Sequence, residues 1–278
     1  MATLIDQLKT IKDKSKLDEI DTETVRVILK EKLQLFILNF LYNHQKYKDL
    51  VFYGGSALRI VHDLNRLSED LDFEKPKELD ISNLTKDISD YFTKEIQYKD
   101  IIISKQGNTI KRITLKFPVL YELDLSTHES ENLHLKIEVN TKPTGVYKTE
   151  LTPVTSSSFS FLLKTYDLPT LMAGKMIAVL ERNFRKGNTE ILIKGRDFYD
   201  LIWYMSKNIK PNEKKLLDVN RKYTTRKTFQ LISKRIENIK SRDLLVDLEF
   251  LFKNHKFIKN WCKSFHNLYE KYIGEYLN

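Results

Sequence analysis

Asp70 and Asp72 are the residues of this chain best suited to chemistry. They stand one residue apart in the run Arg66-Leu67-Ser68-Glu69-Asp70-Leu71-Asp72-Phe73. On a β-strand, residues two apart project from one face. Two carboxylates held together repel, so a metal ion or another cation is needed beside them. The plainer reading is an exposed acidic strand end with Arg66 as ion-pair partner. Upstream, Tyr53-Gly54-Gly55-Ser56-Ala57-Leu58 supplies a glycine turn whose backbone N–H groups suit a phosphate. Ser56 and the N–H groups around Gly55 would stand at a helix N-terminus, where partial positive charge and free donors favour an anion. Alternatively, Ser56 simply caps that helix. Strand, glycine turn, helix and a second strand ending in the two aspartates together point to metal-assisted chemistry on a nucleotide.

Further candidates lie downstream. Glu138 alternates with Ile137 and Val139 in Leu133-His134-Leu135-Lys136-Ile137-Glu138-Val139-Asn140 and is the natural third carboxylate for a metal. Mg²⁺ takes a few carboxylates plus substrate phosphates, and two such ions can clamp an attacking hydroxyl and a leaving pyrophosphate. Lys175 sits in the apolar segment Leu171–Ala178, where an amine is costly to bury without an anion. A triphosphate would serve as that anion, or the lysine snorkels to the surface. Asp197 and Asp200 fall three apart at the start of a helix and share a face. The single cysteine, Cys262, and six histidines offer no disulfide, zinc spacing or Cys/His nucleophile pair.

Stepping outward, the periodicity predicts helices over 3–14 and 22–46, the latter capped by Asp21 or Thr22, with Leu29, Leu33, Phe36, Ile37 and Phe40 on its buried side. Short strands are predicted at 50–53 and 69–74, with a helix over 56–64 between them and another over 82–98. Residues 101–105 and 109–117 read as a hairpin around Gln106-Gly107-Asn108, and 133–140 as a strand. The Ser-rich piece 155–160 is the expected boundary region. Beyond it strand signals fade, and 168–184, 195–208, 212–222, 226–239, 241–253 and 257–277 read as helices. The expectation is an α+β domain over 1–164 and a helical bundle over 165–278.

Charge follows the same division. Residues 1–164 carry 24 Lys and Arg against 25 Asp and Glu, and residues 165–278 carry 23 against 13, so the excess of +9 lies in the second half. Such a basic half suits a polyanion, nucleic acid first among them, although surface lysines can be merely solvated. A hydrophobic content of 41% supports packed cores and argues against disorder. The charged stretch Met1–Lys30 lacks the apolar core of a signal peptide, and no apolar run approaches the ~20 residues of a membrane span. A cytoplasmic protein with no membrane partner is expected.

These blocks resemble the AbiEii family of nucleotidyltransferase toxins, which includes the MenT-type toxins. The likeness rests on Gly54-Gly55-Ser56-Ala57-Leu58, on Arg66-x-Ser68-Glu69-Asp70-Leu71-Asp72-Phe73, on Lys175 and on Arg196-Asp197-x-x-Asp200. It is direct over about residues 50–75 and 170–205. It implies a polymerase-β-like nucleotidyltransferase domain with a mixed sheet, followed by a helical bundle. It also implies toxin activity within a type IV-like toxin–antitoxin or phage-defence system, hence a possible cognate antitoxin. By motif position, Asp70 and Asp72 would hold one or two Mg²⁺, with Glu138 placed as third ligand by strand order. Gly55, Ser56, Arg66, Lys175 and Asp200 would bind the NTP, and Asp197 would be the essential acid of the last motif. The expected reaction is transfer of NMP from NTP to RNA, with the tRNA 3′ end as the acceptor.

Three other functions remain open on sequence. NMP transfer to a protein side chain (AMPylation) uses the same fold, and an inactive nucleotide- or RNA-binding regulator would keep it. A metal nuclease built on Asp72 and Glu138 lacks the lysine wanted two residues after the acid, because position 140 is Asn.

Overall fold

The structure, a computed structural model, describes residues 2–107, 110–143, 145–156, 158–181 and 193–277. The chain divides into two compact units, Met1–Pro143 with Thr149–Thr165, and Thr144–Lys148 with Tyr166–Asn278.

The first unit begins with helices α1 (Leu4–Leu17) and α2 (Thr22–Asn43). Asp21 caps α2 by accepting from the Thr24 N–H at 3.0 Å, a contribution of about 1 kcal/mol. Strand β1 (Val51–Tyr53) leads into α3 (Gly54–His62) and β2 (Asp70–Glu74). Helix α4 (Leu84–Asp90) runs on as a π-helical turn over Tyr91–Glu95, and Gln97, at φ 59°, follows it in the left-handed region. Strands β3 (Ile102–Gln106), β4 (Ile110–Phe117), β5 (Leu133–Asn140), β6 (Thr149–Thr155) and β7 (Ser160–Tyr166) complete a seven-stranded mixed sheet of order β3-β4-β5-β2-β1-β7-β6. Strand β2 is therefore central. It runs antiparallel to β1 and parallel to β5.

Two faces of this sheet differ sharply. Phe52, Leu71, Phe73, Ile113, Leu115, Ile137 and Val139 are buried in one core with Leu8 of α1 and Leu29, Leu33 and Ile37 of α2. Each such side chain contributes about 1.5–3 kcal/mol through burial. Alternation sends the intervening residues, Asp70 and Asp72 included, to the other face. The apolar positions of β2 and β5 thus anchor the sheet, and the carboxylates are left pointing away from its core.

One expectation for this unit fails. The Ser-rich piece at 155–160 is no boundary: it joins β6 to β7, with the Ser156 N–H donating to the Phe159 carbonyl at 2.8 Å. Nor do strand signals end there, because β7 pairs with β1, with Phe52 opposite Thr165. In Ser160–Tyr166 the burial alternates, but the residue types hide it: Leu162 is apolar on the exposed side, and Thr165 and Tyr166 are buried in succession; Pro153 disguises the neighbouring strand as loop.

The second unit is helical: α5 (Leu168–Glu181), α6 (Gly195–Ser206), α7 (Glu213–Val219), α8 (Thr225–Ile236), α9 (Ser241–Leu248) with a 3₁₀ turn over Glu249–Leu251, and α10 (His255–Leu277). The predicted extension of α5 over 182–184 lies outside the described residues. Helix α6 packs on α5, α9 and α10, and α8 packs on α5 and α10. Edge-on aromatic contacts fasten the bundle, with Phe198 and Phe265 at 5.9 Å and Tyr199 and Phe252 at 4.9 Å between ring centres. Cys262 is buried here, and burial pushes its thiol up to about 11.

Candidate active site

In the first unit the site forms where α3 meets β2. Tyr53 pairs with Asp72 across the β1–β2 ladder, so the helix starts directly beside that carboxylate. Gly54 has φ +82°, and a Cβ there would stand 2.5 Å from Asp72 Oδ2. Only glycine allows both the backbone angle and the approach. A Cβ on Gly55 would fall on the Arg66 guanidinium. The two glycines therefore bring the start of α3, with its partial positive charge, against an aspartate and an arginine.

Ser56 has a different place from the expected one. The helix begins at Gly54, with Tyr53 as N-cap, so Ser56 is its third residue and no cap. Its side chain is buried, lies 2.7 Å from Ser68 Oγ and donates to the Asp70 carbonyl. The hydroxyl ties the helix to the first residue of β2, rather than facing an open phosphate position. Arg66, also assigned to the nucleotide, is buried and donates from Nη1 to the Leu67 carbonyl at 2.9 Å.

Helix α2 holds the loop before β2 in register, a role that the sequence did not announce. Glu31 accepts from the Ser68 N–H at 3.1 Å and from Arg59 Nε at 3.0 Å. Burial raises the Glu31 carboxyl above its ordinary value, and Arg59 opposes that shift. Gln34 donates to the Ser68 carbonyl at 2.9 Å, and Lys30 reaches Glu69 at 2.8 Å. Positions 30, 31 and 34 lie on one helical side, which is the only sequence signal they share.

Across the sheet the rows are explicit. Asp72 stands opposite Glu138 of β5, and Glu138 stands opposite Arg112 of β4. Asp70 stands opposite Lys136, which stands opposite Thr114. All of these residues share the face away from the core. Glu138 is thus beside Asp72, as strand order suggested, but its Oε1 is taken by Arg112 at 2.6 Å from Nη2 and 2.7 Å from Nε. The sequence reading missed Arg112 because its pairing spans the long β4–β5 connection.

In the second unit Lys175 of α5 meets two carboxylates of α6: Asp197 Oδ1 at 2.7 Å and Asp200 Oδ2 at 2.8 Å. The three side chains are 10%, 4% and 0% exposed. Lys175 does not snorkel, and both aspartates face inward at the one-turn spacing. Asp197 also lies in the first turn of α6, where its charge suits the helix dipole. The start of that helix is fixed by Asp247 of α9, which accepts from the Arg196 N–H at 3.1 Å.

The donor chemistry of Asp70 and Asp72 suits Mg²⁺, a hard cation that takes carboxylate oxygens and completes its shell with phosphate and water. Their shared face and the helix start beside Asp72 are consistent with that use. Among the described residues, no three His, Cys, Asp or Glu side chains gather as a metal cluster, and Glu138 is turned to Arg112. The arrangement fits a metal shared between two aspartates and substrate phosphates.

Residues 37–271 match the family profile described as nucleotidyl transferase AbiEii toxin, type IV toxin–antitoxin system. The match covers most of the chain, which therefore belongs to the AbiEii nucleotidyltransferase toxin family; the protein is an enzyme of nucleotidyl transfer. The crystal structure of JHP933 from Helicobacter pylori is similar in fold over 90% of this chain and 94% of its own, at 16% identity and a TM-score of 0.50. A candidate nucleotidyltransferase from H. pylori covers 89% of this chain and 96% of its own, at 18% identity and a TM-score of 0.48. Comparison with curated proteins gave no match. No helix among the described residues is long and apolar enough to cross a membrane.

Proposed function

We propose that this protein transfers a nucleoside monophosphate from an NTP to an RNA hydroxyl, with the 3′ end of tRNA as the expected acceptor, and that it acts in the cytoplasm as the toxin of a type IV toxin–antitoxin pair. The observation that carries the reading is the placement of Asp70 and Asp72 on the polar face of the central strand, with a glycine-led helix start against Asp72.

Asp70 and Asp72 would hold Mg²⁺, which when bound neutralises charge on the phosphates of the NTP. The chain's own groups do the rest. The start of α3 offers backbone N–H groups and a positive dipole end to the nucleotide's phosphates. Gly55 permits that approach, whereas Ser56 and Arg66 act from beneath by fixing the helix and the loop. Lys175, Asp197 and Asp200 keep the nucleotide-binding and essential-acid roles that their motifs imply, and these are assigned by motif position. Glu138, released from Arg112, is the group proposed to take the proton of the attacking hydroxyl or to join the metal. The acceptor oxygen bonds to the α-phosphorus, the α–β anhydride bond breaks, and pyrophosphate leaves. Alignment and charge neutralisation supply most of the acceleration.

The test is direct. Each labelled NTP is incubated with the protein, total tRNA and total protein extract, and the labelled pool is identified. Label in tRNA supports the proposal. Label in protein alone overturns it in favour of AMPylation, and no label in either pool, with Asp70→Asn still as toxic as wild type, marks an inactive binding protein.

A further inference from the structure

The polar face of the first unit's sheet continues beyond the carboxylates, and what it carries there is cationic. Lys136 of β5 lies on the row of Asp70. One row on, Lys116 of β4 stands opposite His134 of β5. Partial burial and then the charges of Lys116, Lys30 and Lys136 lower the His134 pKa, so the ring lies in the field of three ammonium groups. His134 and Lys136 are exposed and Lys116 is half-buried. Lys30 is tied to Glu69, but among the described residues neither Lys116 nor Lys136 lies within ion-pair distance of a carboxylate. Like charges gathered on one face of a sheet repel one another, and a polyanion relieves that repulsion.

Their side of the carboxylates matters. The start of α3, the phosphate-binding end of the site, approaches Asp72 from β1. The lysines lie on β5 and β4, on the opposite flank of the central strand. A triphosphate held at α3 leaves this second flank to the other reactant. Thr114, between Lys116 and Arg112 on the same face, adds a hydroxyl suited to a phosphate oxygen.

We propose that the open face of β4 and β5, formed by Lys116, Lys136, His134 and Thr114, is the track on which the sugar–phosphate backbone of the acceptor RNA approaches Asp70 and Asp72. The proposal rests on the nucleotidyl-transfer reading above and deepens it. It places acceptor contact on a unit whose net charge is near zero, where composition alone pointed to the basic helical half.

The double variant Lys116→Gln/Lys136→Gln tests it, with total tRNA as the acceptor and fluorescein-labelled tRNA for binding. The expected results are a KM for tRNA raised roughly tenfold and a plot of log affinity against log salt shallower by about 2, near 1 per lost phosphate contact. The KM for NTP and the melting temperature should stay at the wild-type values. A raised KM for NTP with tRNA affinity unchanged overturns the proposal and assigns the lysines to the nucleotide, and no change in either constant overturns it outright. Failure of the underlying reading shows separately, because wild-type protein would then label no tRNA at all.

Discussion

The two units treat their charged motifs in opposite ways. In the first, Asp70, Asp72, Glu138 and Arg112 spread over the polar face of a sheet whose other face is the hydrophobic core. In the second, Lys175 is packed inside a helical bundle with Asp197 at 2.7 Å and Asp200 at 2.8 Å from its ammonium. Charges on an open face cost little to hold and stay available to ligands. Charges taken out of water must be satisfied on the spot, and breaking such a set costs several kcal/mol. Loss of activity on mutation therefore means different things in the two places: removed chemistry in the sheet, and a damaged fold together with any removed chemistry in the bundle.

The largest effect should come from Lys175→Met. It removes the ammonium that two buried carboxylates share, so we expect the second unit to lose about 3–5 kcal/mol, read as a fall in urea midpoint. An unchanged midpoint would erase the contrast between the units. Next comes Asp70→Asn or Asp72→Asn. Here nucleotidyl transfer should drop by about 10²–10³-fold, while stability holds or rises because two like charges no longer face each other. A matching loss of stability would show that the pair is structural.

Ser56→Ala sharpens the comparison from the side of the fold. It removes a buried hydroxyl bonded to Ser68 and Asp70, and we expect a loss of about 1–3 kcal/mol with a KM for NTP close to wild type. A large rise in that KM at unchanged stability would return Ser56 to the phosphate. Arg112→Gln should barely touch stability, at about 0–1 kcal/mol for a pair this exposed, yet it frees Glu138 and should alter the metal concentration needed for half-maximal rate. The smallest effect is the titration of His134 by NMR, with a midpoint below that of a free histidine. The depressed value means that His134 contributes stability above the ordinary histidine pKa and loses it as pH falls through the depressed one. A midpoint at or above the free value would show that the lysines do not crowd the ring.

Much of this was legible from spacing. The alternation in Asp70–Glu74 and Leu133–Asn140, and the glycines before α3, follow from short-range rules that a strand or a turn cannot evade. So do the helices of the second unit, whose boundaries are set by local periodicity. Strands β6 and β7 were missed because one is an edge strand carrying Pro153 and the other owes its place to β1, more than a hundred residues earlier. The inward turn of Ser56 was hidden for a related reason. A serine after two glycines looks the same whether it faces solvent or the Ser68 hydroxyl, and only the packing of α3 on β2 decides.

The sequence by itself determined which residues could do chemistry and that Asp70 and Asp72 share a face, since both are local facts of residue type and period two. Tertiary structure alone decided their company. Strand pairing set Glu138 beside Asp72 and Arg112 upon Glu138, helix packing closed Asp197 and Asp200 around Lys175, and the sheet order put Lys116 and Lys136 on the flank opposite α3. Pairing across long loops is a choice of partner, fixed by burying the common core rather than by any signal carried in the paired residues themselves.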